Sequence, residues 1–92
     1  MSRLIDLKFT QKGDAFISDG VQCTNDTIGV QVDMGADGYV FLQRSINNKE
    51  YCDVSNSRQS GIGVNEFSVT GIVPGMYIRV VSNVSIKGVV LV

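Results

Sequence analysis

The chain contains no histidine, which removes both the commonest general base and the commonest borderline metal ligand. A Ser-His or Cys-His nucleophile therefore cannot be assembled from it. Cys23 and Cys52 stand far apart with no further soft ligand, which is too few thiolates for a structural zinc site. Whether the two pair depends on their Cα atoms coming within about 7 Å, a distance that sequence does not set, and two free thiols are the expected state. Asp33, Asp37 and Asp53 could gather at one sheet end, either to bind calcium or to act as an acid/base pair. Against that, Asp33-Met34-Gly35-Ala36-Asp37-Gly38 lacks the alternating ligands of a calcium loop, and turn chemistry accounts for Asp37-Gly38. Gly61-Ile62-Gly63 has no lysine at the offset a phosphate cradle needs and reads as flexible loop. Asn25-Asp26-Thr27 and Asn83-Val84-Ser85 fit the N-glycosylation pattern, but no secretory signal accompanies them. No catalytic residue, metal or cofactor is expected, and the chain is read as non-enzymatic.

Tyr39, Tyr51 and Tyr77 are the remaining residues with a recognition chemistry, because aromatic faces stack on pyranose rings. They are candidate glycan contacts, although the absence of tryptophan makes such a platform weak. Alternation places Tyr39 on the same face as Phe41, which suits sheet-rim packing with the hydroxyl reaching water.

The elements that must position these residues are strands. Arg3, Ile5, Leu7 and Phe9 alternate with Leu4, Asp6, Lys8 and Thr10, predicting a half-buried first strand. Over residues 27–34, Ile28, Val30, Val32 and Met34 face inward, while Thr27, Gly29, Gln31 and Asp33 face outward. Residues 34–38 read as a tight reversal into a strand over residues 39–43, which would make a hairpin. Asn47-Asn48 predicts a second hairpin, between residues 43–46 and 50–54, with asparagine tolerating positive φ. Residues 55–63 read as an exposed loop. A strand over residues 64–70 turns Phe67 and Val69 inward, Pro74-Gly75 marks a turn, and residues 76–82 form the next strand. In the last strand Ile86, Val90 and Val92 alternate with Lys87, Val89 and Leu91, so that both faces are apolar. That strand should be central or lie in an intermolecular contact.

The expected fold is therefore all-β, an antiparallel β-sandwich of jelly-roll-like form with about seven or eight strands and essentially no helix. Its 92 residues make one domain spanning residues 1–92, with residues 1–10 a candidate anchoring strand. A chain this small hides only about 60–65% of the surface its unfolded form exposes, which favours assembly with other chains. Charged residues make up 18%, below the usual share of about 25%. With 8 basic and 9 acidic side chains, scattered and summing to −1, there is no electrostatic footprint for nucleic acid or an anionic bilayer. Asp6 and Lys8 interrupt any signal-peptide core, and no apolar run approaches the roughly 18 residues of a membrane span.

One resemblance adds to this reading. The run Gly38-Tyr39-Val40-Phe41-Leu42-Gln43-Arg44-Ser45-Ile46-Asn47-Asn48-Lys49-Glu50-Tyr51-Cys52-Asp53-Val54 is followed by Phe67-Ser68-Val69-Thr70-Gly71 and by Gly75-Met76-Tyr77-Ile78-Arg79-Val80. This order resembles tailed-bacteriophage virion proteins, in which a strand, a QxSxDG hairpin, aromatic-x-Asp-Val, a loop, G-x-Tyr-Ile-Arg-Val and a valine-rich strand succeed one another. Asn47-Asn48 stands where that pattern prefers Asp-Gly, and Tyr51 occupies a tryptophan-like slot, which weakens the link to its sugar-binding members. The resemblance implies a capsid decoration, auxiliary or head-fibre type of protein that assembles in the host bacterial cytoplasm and resides in the virion. Its implied partners are the major capsid protein or another virion protein, and copies of itself in a homo-oligomer, trimer or higher. The interface residues expected on this view are Arg3, Ile5, Leu7, Phe9, Val89 and Leu91, the first four as an arm pairing with a neighbour's sheet edge. A carbohydrate-binding module at a tail or fibre tip is the alternative.

Overall fold

Alternating apolar and polar residues can bury one face only as strands, and the structure consists of little else. The computed structural model describes residues 3–4, 8–54 and 57–91. Among them are nine strands and no helix: β1 (Arg3–Leu4), β2 (Phe9–Lys12), β3 (Ala15–Ser18), β4 (Val21–Gln22), β5 (Thr27–Ser45), β6 (Cys52–Asp53), β7 (Gln59–Thr70), β8 (Tyr77–Ser82) and β9 (Ile86–Leu91). Every pairing is antiparallel. They form one sheet in the order β1-β9-β5-β8-β3-β2, with β4 on β8 and both β6 and β7 on β5. The all-β antiparallel fold is as the alternation indicates. The pairing joins all nine strands into one continuous sheet.

That sheet is curled. Strands β1 and β2 end the path on opposite sides, yet only residues 5–8 join them. Five residue steps reach at most about 18 Å, whereas six strands lying flat at about 4.8 Å spacing would hold the ends about 24 Å apart. The bend is in β5, whose first half pairs with β7 and β9 and whose second half pairs with β8, β6 and the start of β7. Both halves feed one core: Ile28, Val30, Val32 and Met34 from the first, Val40 and Leu42 from the second, closed by Val69, Ile72, Ile78, Val80 and Val89.

The expected hairpin at residues 34–38 is instead this bend. Strand β5 runs straight through as 19 residues, and the register against β7 slips so that residues 35–37 oppose Ile62 alone. Neither Gly35 nor Gly38 adopts the left-handed backbone that a tight reversal uses. The glycines serve close approach: a Cβ on Gly38 would run into Asn83 Oδ1 and the Val84 side chain. At this corner the Tyr39 amide donates to Asn83 Oδ1 (2.7 Å) and the Gly35 amide to the Ser85 carbonyl (2.9 Å), tying the bend to the link between β8 and β9.

Other expectations shift by smaller amounts. The second hairpin forms, with Arg44 opposite Cys52 and Asn48 at φ 60°, but its connection is longer than two residues. The loop expected over residues 55–63 is shorter, because β7 already begins at Gln59 and Ser57 is buried. In β9 the register slips past Lys87, since Met34 opposes Ile86 and Asp33 opposes Gly88. Ile86 and Val89 consequently both reach the core, although strict alternation puts them on opposite faces.

The N-terminal segment is not one free arm. Arg3 and Leu4 pair with Leu91 and Val90, while Phe9 begins a β2–β3 hairpin and packs against the core. Val89 is 2% exposed, so its side chain fills the core and is not available to a neighbour. Ile5 and Leu7 lie outside the described residues, as do the side chains of Arg3 and Leu91.

Candidate interaction site

The sheet positions two surfaces with a recognition chemistry. The larger is an open cleft of about 740 Å³ between the hairpin that follows β5 and the turn that precedes β8. Its hairpin wall is fixed from within. Ser45 Oγ, buried, accepts the Asn47 amide (3.2 Å) and donates to Asn47 Oδ1 (2.9 Å). Asn47 Oδ1 also accepts the amides of Lys49 (3.0 Å) and Glu50 (3.1 Å), an asparagine-centred turn. The Tyr51 hydroxyl donates to Asn48 Oδ1. With the loop backbone satisfied in this way, Ile46 projects outward and is 82% exposed.

The facing wall is held against β4. The Cys23 amide donates to the Met76 carbonyl and the Gly75 amide to the Cys23 carbonyl, each at 2.8 Å. Gln22 Nε2 reaches the Gly75 carbonyl (3.2 Å). Val73 stands out at 61% exposure, with Pro74 and Met76 beside it. Arg44 and Glu50 supply the charge around an otherwise largely apolar lining. Cys52 is a free, exposed thiol in the same cleft, whereas Cys23 is buried and burial raises its pKa above the ordinary thiol range.

The second surface is the outer side of the second half of β5. Tyr39 and Phe41 stack there, ring centroids 6.1 Å apart, with the Arg58 guanidinium 4.0 Å from the Tyr39 centroid. Arg79 Nε donates to Gln43 Oε1 (2.7 Å), and Gln43 Nε2 donates to Asp53 Oδ1 (2.9 Å), so one amide joins the guanidinium to the carboxylate. The same Arg79 lies 3.9 Å from the Tyr51 centroid. Burial raises the Tyr51 phenol above its usual range; the Arg79 cation lowers it in part and Tyr77 adds to the rise. A hollow of about 310 Å³ opens between Tyr39, Phe41, Asp53 and Arg58.

Tyr39 and Tyr77 thus lie on the paired strands β5 and β8 and Tyr51 just before β6, but an arginine covers one face of Tyr39 and one of Tyr51. The three aspartates are not brought together: Asp33 lies before the bend, Asp37 within it, and Asp53 opposite Gln43 on β6. Among the described residues no group of three or more His, Cys, Asp or Glu side chains could hold a metal ion. Among them, too, no helix is long and apolar enough to cross a membrane. Sequence reasoning missed Ile46 and Val73. Ile46 is a lone aliphatic residue inside turn chemistry, between Ser45 and Asn47, and that isolation is the signal that could have exposed it; Val73 follows the buried Ile72 and precedes Pro74-Gly75, so the sequence sets no such mark on it.

No family model matches the chain, and comparison with curated proteins and with solved structures likewise found no match.

Proposed function

We propose that this protein is a non-catalytic assembly module that docks onto another protein through the cleft between the β5–β6 hairpin and the turn before β8. The observation that carries this reading is the exposure of Ile46 (82%) and Val73 (61%) across an open cleft whose walls are already hydrogen-bonded. Docking there removes apolar area from water without ordering a loop, which lowers the entropy cost of association. The resemblance to tailed-phage virion proteins supports the choice of partner: the major capsid protein or another virion protein, with this chain as a decoration or auxiliary subunit present in many copies. The test is particle sedimentation. The chain is expected to travel with intact virions at fixed stoichiometry, and the Ile46→Asp/Val73→Asp variant is expected to remain in the supernatant while keeping the native circular dichroism. A protein found only in the infected-cell cytosol overturns the reading.

A glycan-binding role draws support from one arrangement, the stacked Tyr39–Phe41 pair beside Arg58 and Asp53. Aromatic faces flanked by hydrogen-bonding groups suit pyranose rings. A glycan array probed with the wild type and with Tyr39→Ala decides it: binding lost in the variant supports this role, and a blank array removes it.

A further inference from the structure

Strand β7 is the place where the sheet is left unfinished. Among the described residues β1, β2, β4 and β6 each have at most 4 residues, whereas β7 has 12 and pairs only with β5. Short edge strands are one way natural sheets avoid pairing with other chains, and charged lysines or prolines are another. Strand β7, Gln-Ser-Gly-Ile-Gly-Val-Asn-Glu-Phe-Ser-Val-Thr, contains no lysine, arginine or proline, and its single charge, Glu66, accepts a hydrogen bond from Gln31 Nε2 (2.8 Å). Gly61 and Gly63 have φ of 135° and 83° and disturb the strand's start. From Val64 to Thr70 the pairing with β5 is unbroken, so the opposite backbone edge is regular as well.

We infer that this edge pairs antiparallel with β7 of a second copy of the same chain, about a twofold axis at Phe67. The strand is complementary to itself in that register. Glu66 falls opposite Ser68 of the second copy, Val64 opposite Thr70, Asn65 opposite Val69, and the two Phe67 rings meet across the axis. Phe67 is half-buried in the single chain and packs against the core, so its twin covers the remainder of the ring. A register centred one residue earlier would set the two Glu66 carboxylates opposite each other and is rejected by like-charge repulsion. The inference rests on the assembly reading only in that copies of the chain meet, and it needs no virion.

Ser68 is exposed and outside the core, so it can change without disturbing the fold. Multi-angle light scattering over a concentration series of the purified chain is expected to give twice the monomer mass. Ser68→Glu, which places two pairs of carboxylates together, is expected to weaken association by about tenfold or more. Ser68→Lys, which pairs with Glu66 of the second copy, is expected to tighten it and make it salt-sensitive. A wild-type chain that stays monomeric at its highest soluble concentration overturns the inference, as does an equal response to both substitutions. Because no particle is present, failure here is separate from failure of the sedimentation test.

Discussion

Four serines are buried among the described residues, and while Ser45 braces the hairpin loop through Asn47, Ser18, Ser57 and Ser82 each close a break in the strand ladder. Ser18 Oγ accepts the Val80 amide (2.7 Å) where β3 gives way to β4 along β8. Ser82 Oγ donates to the Tyr39 carbonyl (2.9 Å) and accepts the Val84 amide (3.1 Å) where β8 gives way to β9. Ser57 Oγ accepts the Leu42 amide (3.0 Å) and donates to the Val54 carbonyl (2.7 Å), in the gap along β5 between β6 and β7. A hydroxyl both donates and accepts, so one side chain can satisfy two backbone groups that a missing residue pair leaves open. Ser57→Ala is expected to leave the buried Leu42 amide unpaired and to cost about 1–3 kcal/mol in urea unfolding, with Ser60→Ala, exposed on β7, within about 0.5 kcal/mol of wild type. The thiols divide similarly by burial. A thiol reagent should modify Cys52 rapidly in the native protein and Cys23 only on unfolding. Because burial raises the folded-state pKa of Cys23, the unfolded chain loses that proton first as pH rises. Stability is therefore unaffected by this group below the ordinary thiol range and falls as pH climbs through it and on toward the raised value; Cys23→Ala should flatten that alkaline loss in thermal melts.

At the scale of elements, β5 organises the molecule. Its inward residues were readable from period two alone, since Ile28, Val30, Val32 and Met34 are all buried. Period two carries no information about what happens at Gly35-Ala36-Asp37-Gly38, because a turn and a bulge use the same small and polar residues. The choice between them is made by partners distant in sequence, Asn83 and Ser85, whose hydrogen bonds hold the bent strand to the β8–β9 link. Gly38→Ala tests this directly. Its Cβ would collide with Asn83 Oδ1 and Val84, so the variant is expected to lose about 1–3 kcal/mol. If residues 34–38 were a solvent-exposed hairpin turn, the same change would cost little. The Asn47-Asn48 hairpin, by contrast, was legible because its control is local: Asn48 adopts φ 60° and Asn47 bonds the next amides itself.

For the whole molecule, curling one sheet around one core leaves the outer faces, the strand edges and the hairpin ends to meet solvent or other chains. The cleft at Ile46 and Val73 and the strand β7 share no residue, so partner docking and self-pairing need not compete. Combining Ile46→Asp/Val73→Asp with Ser68→Glu should therefore give the sum of the separate losses in particle binding and self-association. An effect of Ser68→Glu on particle binding beyond that expected from the loss of paired copies would show the two surfaces to be one.

The strand class and the inward placing of Ile28, Val30, Val32, Met34 and Val69 were determined by the sequence alone, because alternation acts over a few residues and needs no distant partner. The absence of histidine likewise determined, before any folding, that imidazole catalysis is closed to this chain. Only the tertiary structure decided that β5 bends without reversing, that a slip at Lys87 turns both Ile86 and Val89 to the core, and that Ile46 and Val73 face each other across a cleft. Each of these is settled by atoms many residues away, through register, close approach and hydrogen bonds that local periodicity does not encode.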